Sequence, residues 1–313
     1  MQNIKIVFFG TPVFAATILD GLIQAGYQIV GVVTQPDKMK GKNKFPSFSP
    51  VKELALTYHL PVYQPTKLKE DFKFLKDLHY DLLITCAYGQ ILPKAVLDLA
   101  KINNINVHAS LLPRLRGGAP IHRAIINGEE KTGITIMQMV EKMDAGRMYA
   151  QKEMILDDKI NATELFVELQ QMGKDLLLKT LPSIIDQSNQ GILQDESKVT
   201  YAYNIKRAEE KIDFNKKCAE VHNLIRGLAM TPGGYCFFKG KVCKIYQTAK
   251  TTMFVLENET PGTLKVQDKR LFVCCTDGYL EILKLQLEGK RMMTAKEFLN
   301  GHQIEMIENE QLL

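Results

Sequence analysis

No stretch of this 313-residue sequence has the apolar run that a membrane-spanning helix needs, so no membrane partner is expected. The opening, MQNIKIVFFG, lacks the basic n-region, longer apolar core and cleavage site of a secretory signal, and a cytoplasmic protein is expected. There is no CxxC. Cys86, Cys218, Cys236, Cys243, Cys274 and Cys275 are scattered, and no His stands at ligand spacing from a Cys pair. This pattern argues against a zinc site or a disulfide framework. It reads as reduced thiols used as small apolar residues, and no metal is expected. Adjacent Cys274 and Cys275 should point to opposite faces if they lie in a strand. The dinucleotide fingerprint is missing too. GTPVFA stands where GxGxxG would, and the acidic residue expected after the second strand is displaced into TQPD, so NAD is not predicted. Tryptophan is absent altogether.

What is present is ordinary for a soluble globular chain. Hydrophobic residues make up 45% and charged residues 24%, and 313 residues suffice for two domains with sizeable cores. The formal charge of +5 is a mild basic excess that permits a polyanionic partner without requiring one.

Residues 4–9 form a short apolar run ending in Gly10-Thr11-Pro12, which predicts a buried strand. Helical spacing follows over about 12–25, with Gly26 as the stop, and residues 29–34 predict a second strand. A β-α-β start predicts a parallel sheet with right-handed crossovers. Residues 35–48 are poor in apolar side chains and space Lys38, Lys40, Lys42 and Lys44 around Gly41. They read either as a solvated loop or as an electrostatic arm for phosphates; their place after a strand end favours the arm. Ser49-Pro50 predicts a helix start, 82–87 another buried strand and 91–99 a helix. Asn161, with Glu164 three residues later, predicts a capped long helix reaching about Ile185.

Beyond Asp186 the composition turns polar, and 190–208 reads as a linker between a domain over 1–189 and another over 209–313. The second domain alternates short apolar runs with Gly turns, at 235–238, 242–247, 262–266, 271–275 and 280–287. That spacing suggests a small β-barrel, with Lys239, Lys241, Lys244, Lys265, Lys269, Arg270, Lys290 and Arg291 on or between its strands.

The stretch that organises the rest is INVHASLLPRLRGGAP, residues 105–120. It begins as the end of a buried strand over 102–107. Side chains repeat every two residues along a strand, so Asn106 and His108 share a face. A loop rich in Pro, Gly and Arg follows. A polar pair at the carboxyl end of a strand, before such a loop, is where an open α/β sheet builds a site. Residues 133–139 alternate like a half-buried strand, Asp144-Ala145-Gly146 is a turn, and 149–156 reads as the returning strand. If those strands lie side by side, Asp144 comes close to His108. Asn, His and Asp together supply an amide donor, a proton carrier and an orienter for that carrier.

These stretches, together with FFGTPVFA, TQPD, AYGQILP and LQLEGKRMMTAKEFLNG, resemble the folate-dependent formyltransferase family. The carboxyl-terminal stretch resembles the branch that acts on methionyl-tRNA. The resemblance implies a doubly wound, mostly parallel α/β sheet of Rossmann-like form, followed by an OB-like β-barrel that contacts tRNA. It implies formyl transfer from 10-formyltetrahydrofolate to charged initiator methionyl-tRNA, with Asn106, His108 and Asp144 catalytic. Ser110, Leu111, Leu112 and Pro113 match the family's folate loop, and Tyr88 to Leu92 its pteridine pocket. Lys38, Lys40, Lys42 and Lys44 match its acceptor-arm loop, although the family favours Arg where Lys42 stands. Lys keeps the phosphate charge without the bidentate fork. Met230-Thr231-Pro232-Gly233 departs from a family pattern that often has an aromatic before Pro-Gly. A monomer is expected. Two other readings share some of these residues: a formyltransferase for a nucleotide-linked amino sugar, and a non-catalytic tRNA-binding protein. The basic loop and basic barrel argue against the first, and the intact Asn, His and Asp against the second.

Overall fold

The run KIVFFG is buried on both faces from its second residue and forms β1 (Lys5–Gly10) in the interior of a sheet. The structure is a computed structural model and describes residues 4–40, 45–255 and 259–313. After β1 come α1 (Val13–Gln24), β2 (Gln28–Val33), β3 (Lys38–Lys40), β4 (Phe45–Ser47) and α2 (Pro50–Thr57). Then follow β5 (Val62–Tyr63), α3 (Phe74–Asp77), β6 (Leu82–Cys86), α4 (Lys94–Leu97) and β7 (Asn103–His108). The chain continues through α5 (Pro120–Ile126), β8 (Lys131–Gln138), β9 (Met148–Ile155) and α6 (Ala162–Ile185). Pro12 caps α1 in extended conformation, and Ser49 Oγ caps α2 by accepting from the Lys52 amide. The Asn161 and Glu164 side chains accept reciprocally from each other's main-chain amides, the capping box expected at the start of α6.

The seven-stranded sheet runs β5-β2-β1-β6-β7-β8-β9. Its first five strands are mutually parallel, and β8 lies antiparallel to β7. Strand order reverses beside β1, so the carboxyl ends of β1, β6 and β7 border the crevice such sheets use for ligands. Chain packing divides the molecule into two units, the first made of residues 1–120, 132–154 and 166–202.

Three expectations need correction here. Residues 91–99 do not form one helix: Pro93 is extended, and the helix is only α4. Proline disfavours helical geometry in the residue before it, so residues 91 and 92 cannot join. The basic segment is not all loop, because β3 and β4 pair antiparallel as a short ribbon. Finally, 190–202 is no loose tether. Met148 and Ile192 exchange main-chain hydrogen bonds, the Arg116 amide donates to the Thr200 carbonyl, and the Ala202 amide donates back to the Arg116 carbonyl. A polar composition shows that side chains tolerate water; it does not show where the main chain finds its partners.

The second unit comprises residues 121–131, 155–165 and 203–313. It contains α7 (Cys218–Leu228), β10 (Gly234–Phe238), β11 (Lys241–Lys250), β12 (Leu264–Gln267) and β13 (Arg270–Cys274). It ends with β14 (Tyr279–Leu287), β15 (Met293–Thr294) and α8 (Ala295–Asn300). The antiparallel order is β10-β11-β14-β13-β12, with β15 beside β14. Residues 309–313 then pair with both outer strands. Phe237 and Leu313 exchange main-chain hydrogen bonds on the β10 side, while Leu264 and Gly262 pair with Glu310 and Leu312 on the β12 side. This tail bridges the two outer strands and closes the sheet into a barrel. Leu271, Val273 and Cys275 enter one core cluster and Phe272 and Cys274 another, so the adjacent cysteines do face opposite ways.

Two polar side chains of α7 are buried in this unit. His222 hydrogen-bonds Thr248 Oγ1 through Nδ1 and the Asp158 carbonyl through Nε2, both at 2.8 Å. Arg226 Nη1 donates to the carbonyls of Asp157 (2.7 Å) and Ile160 (2.9 Å), and its Nε to Asn223 Oδ1 (2.9 Å).

Candidate active site

Asn106 and His108 stand at the carboxyl end of β7, as the two-residue period requires. Thr85 pairs with Asn106 across β6 and β7, and its Oγ1 donates to Asn106 Oδ1 at 2.9 Å. That contact turns the amide oxygen to Thr85, and among the described residues no acceptor is paired with Nδ2. His108 is buried, with Nε2 3.0 Å from the Leu115 carbonyl. A carbonyl only accepts, so Nε2 carries the proton, and the basic atom of the neutral ring is Nδ1. Nδ1 lies 3.7 Å from Asp144 Oδ2.

Asp144 heads the predicted turn in the left-handed region, at φ 49°. Its Oδ2 accepts from the Gly117 amide at 2.8 Å. Two glycines are demanded by close approach. A Cβ on Gly146 would meet the Gln138 carbonyl oxygen at 1.9 Å, and one on Gly117, at φ +126°, the Ala202 carbonyl oxygen at 2.7 Å. The structure brings Asp144 to His108, and Asn106 stands two residues before His108 on β7.

The 110–113 loop is more occupied than its expected role suggests. Ser110 Oγ donates to the Arg114 carbonyl, and the Ser110 carbonyl accepts from Thr135 Oγ1, each at 2.7 Å. Leu112 is buried against Met137 and Met148, and its carbonyl accepts from Gln151 Nε2 at 2.8 Å. Ser110 and Leu112 therefore hold the loop from within, and only Leu111 and Pro113 are half-exposed. The 88–92 segment is likewise tied down. Tyr88 is buried, with its hydroxyl pushed up to about 12 by desolvation, and its carbonyl accepts from Thr11 Oγ1 and Gln35 Nε2. Gln90 Oε1 accepts from the Leu68 amide at 2.9 Å.

At the root of the basic segment, Lys52 Nζ binds Asp37 Oδ2 and Gln64 Oε1, and this holds the Asp37 carboxyl below its ordinary range. Lys38 is exposed. Lys42 and Lys44 lie outside the described residues, as does the side chain of Lys40.

A polar cluster that sequence reasoning missed sits beside Asp144. Arg116 is fully buried, and its Nε and Nη2 donate to Gln194 Oε1 at 3.0 and 2.8 Å. Its Nη2 also donates to Glu196 Oε1 at 2.8 Å, and Lys142 Nζ reaches Glu196 Oε2 at 2.6 Å. The two cations hold the Glu196 carboxyl at about 2. Gln194 Nε2 donates to the carbonyls of Asp144 and Gly146, both at 2.8 Å. Nothing in the sequence marks Gln194, since its stretch reads as a tether. The site thus offers an amide donor, an imidazole with a defined basic nitrogen, and a fixed carboxylate, fitted to a reaction that builds negative oxygen and sheds a proton.

Comparison with known proteins agrees with this chemistry. The formyl transferase family pattern matches residues 4–181, and that of the formyl transferase C-terminal domain matches 204–303. A methionyl-tRNA formyltransferase of Bacillus licheniformis is 46% identical over 301 residues, 95% of each chain. That of Lactobacillus johnsonii is 44% identical over 304 residues, again 95% of each. That of Malacoplasma penetrans is 39% identical over 302 residues, 96% of this chain and 94% of its own. Among solved structures, a sugar 3N-formyl transferase with dTDP and 5-N-formyl-THF superposes with TM-score 0.68 at 20% identity, over 93% of this chain and 100% of that one. An N-formyltransferase from Helicobacter canadensis, in complex with folinic acid and dTDP-3-aminofucose, gives TM-score 0.67 at 20% identity, over 89% and 98%. At that identity the structures share the fold.

Proposed function

Since the chain belongs to the methionyl-tRNA formyltransferase family, we propose that it moves the formyl group of 10-formyltetrahydrofolate onto the α-amino group of initiator methionyl-tRNA. This supports translation initiation in the cytoplasm. The observation that carries the reading is His108 Nδ1 facing Asp144 at the end of β7, two residues beyond Asn106.

The α-amine has an ordinary pKa of about 7.7–8.0, so a useful fraction is nucleophilic near neutrality. Its nitrogen attacks the formyl carbon, and the carbonyl electron pair moves onto oxygen. Asn106 Nδ2 donates to that oxygen, a contribution typically worth about 10²–10³ in rate. The attacking nitrogen sheds its proton to His108 Nδ1. Asp144 faces Nδ1 and stabilises the imidazolium that forms. Collapse restores the carbonyl and breaks the bond to N10 of the folate, which takes up one proton as it leaves. Because Nε2–H is engaged by Leu115, the geometry favours His108 as proton acceptor over oxyanion donor.

Leu111 and Pro113 offer the apolar surface of a folate loop, while Ser110 and Leu112 brace it from behind. The first unit carries the catalysis, and the closed barrel of the second is an OB-like surface for tRNA. The 38–44 segment, rooted on Asp37, is the arm for acceptor-end phosphates.

The test is to offer the protein 10-formyltetrahydrofolate with either charged initiator methionyl-tRNA or a dTDP-linked amino sugar. Formylmethionyl-tRNA alone is the expected product. A formylated sugar, with the tRNA untouched, overturns the reading in favour of a small acceptor.

A further inference from the structure

We propose that Gln194 is a positioning residue for catalysis, acting through Asp144; the inference rests on the active site proposed above. It lies outside both catalytic stretches, nine residues beyond the end of α6. Every valence of its carboxamide is used. The two Nε2 hydrogens go to the carbonyls of Asp144 and Gly146, and Oε1 accepts twice from Arg116. The two carbonyls bracket the turn that sets the direction of the Asp144 carboxylate. Asp144 sits there at a positive φ, a conformation that a non-glycine residue keeps when its surroundings over-determine it.

The clamp has a fixed foundation. Arg116 is held by Glu196 at its guanidinium and by Thr200 and Ala202 at its main chain. The residues on either side of it touch the reacting groups. Leu115 offers its carbonyl to His108 Nε2, and Gly117 donates to Asp144 Oδ2. Gln194, Arg116, Gly117 and Asp144 thus close a ring of contacts, and Leu115 joins His108 to it. The Nδ1 to Oδ2 separation of 3.7 Å is set by that ring. It is also slightly longer than a hydrogen bond, so a small shift of the turn changes whether the carboxylate supports the imidazolium.

The discriminating substitution is Gln194→Glu. It keeps the shape and the acceptor for Arg116 but removes the two donors. Gln194→Met, which removes donors and acceptor alike, serves if the first variant fails to fold. The full-length variants are compared with wild type, Asp144→Ala and the double variant Asp144→Ala/Gln194→Glu. With methionyl-tRNA and 10-formyltetrahydrofolate, kcat should fall by about tenfold or more, as misplacement of a catalytic group does. Both KM values should stay within about twofold, and the same change should cost nothing further in the Asp144→Ala background. The ¹⁵N signals of the His108 ring should move in Gln194→Glu, while those of His222 and His302 stay. A folded variant with wild-type His108 signals and kcat, or losses that add in the double variant, overturns the proposal. If wild type fails to formylate methionyl-tRNA while the His108 signals still move, the clamp stands and the assigned substrate falls.

Discussion

Arg116 and Arg226 are both buried, one in each unit, and they use their hydrogen bonds differently. Arg226 reaches the main-chain carbonyls of one turn and a neighbouring Asn on its own helix. Arg116 reaches two side chains, and one of them, Gln194, continues to the main chain of Asp144. A buried guanidinium that ends on main chain rivets a fold. One that ends on a side chain with further contacts also passes position along. Burial and charge do not separate the two cases, and only the destination of each donor does.

The contrast is testable in three ways. The largest effect belongs to the first unit: His108→Ala should lower kcat by about 10²–10⁴-fold, the worth of a general base. Asn106→Ala and Asp144→Ala should also cripple turnover, and pairs of these changes should be strongly non-additive. All three should still fold, with His108→Ala losing about 1–3 kcal/mol because the buried Leu115 carbonyl is left without its partner. A loss of stability with turnover of the folded fraction intact would put these residues in the same class as Arg226. Next comes Arg226→Met, which removes the hydrogen bonds to the Asp157 and Ile160 carbonyls. Hydrogen bonds from a charged group contribute about 1.5–3 kcal/mol, so denaturant unfolding should show a loss of that order. The folded fraction should keep its kcat, and a selective loss of turnover would erase the distinction.

The smallest effect is the pH response of His222. Desolvation by burial, joined by the nearby Arg226 and Lys250 charges, lowers its pKa below the ordinary value, while the Asp158 contact opposes the shift. The unfolded state therefore binds more protons than the folded state between the folded pKa and about 6.5. Stability from this group is present above about pH 6.5 and is lost as pH falls through the folded pKa. Unfolding curves for His222→Gln should lose that part of the slope. Identical pH slopes in the two proteins would show that His222 stays equally protonated in both states.

The strands were largely legible because their signal is local. The runs at 4–9, 29–34, 82–87 and 271–275 lie within a residue or so of β1, β2, β6 and β13. The approach of Asp144 to His108 was legible because a two-residue period and a turn signal together fix where side chains point. What could not be read was the use made of polar groups at long sequence separation. Gln194 and Thr200 look like tether residues until their partners appear 50 and 85 positions away. Ser110 and Tyr88 look like ligand contacts, yet Ser110 Oγ binds Arg114, and Tyr88 is buried with its carbonyl held by Thr11 and Gln35. The short α4 needed only the proline rule applied to residue 93.

The closing of the barrel by residues 309–313 has a consequence for synthesis. Domains fold as units while the chain emerges from the ribosome, the amino-terminal one first, at about 5–20 residues per second. The second unit draws on residues 121–131 and 155–165, which are made early, but Leu312 is part of its core. The outer edges of β10 and β12 therefore lack their tail partners until residues 309–313 have cleared the exit tunnel. Until then the part of each edge that the tail covers has main-chain groups without a partner in the sheet.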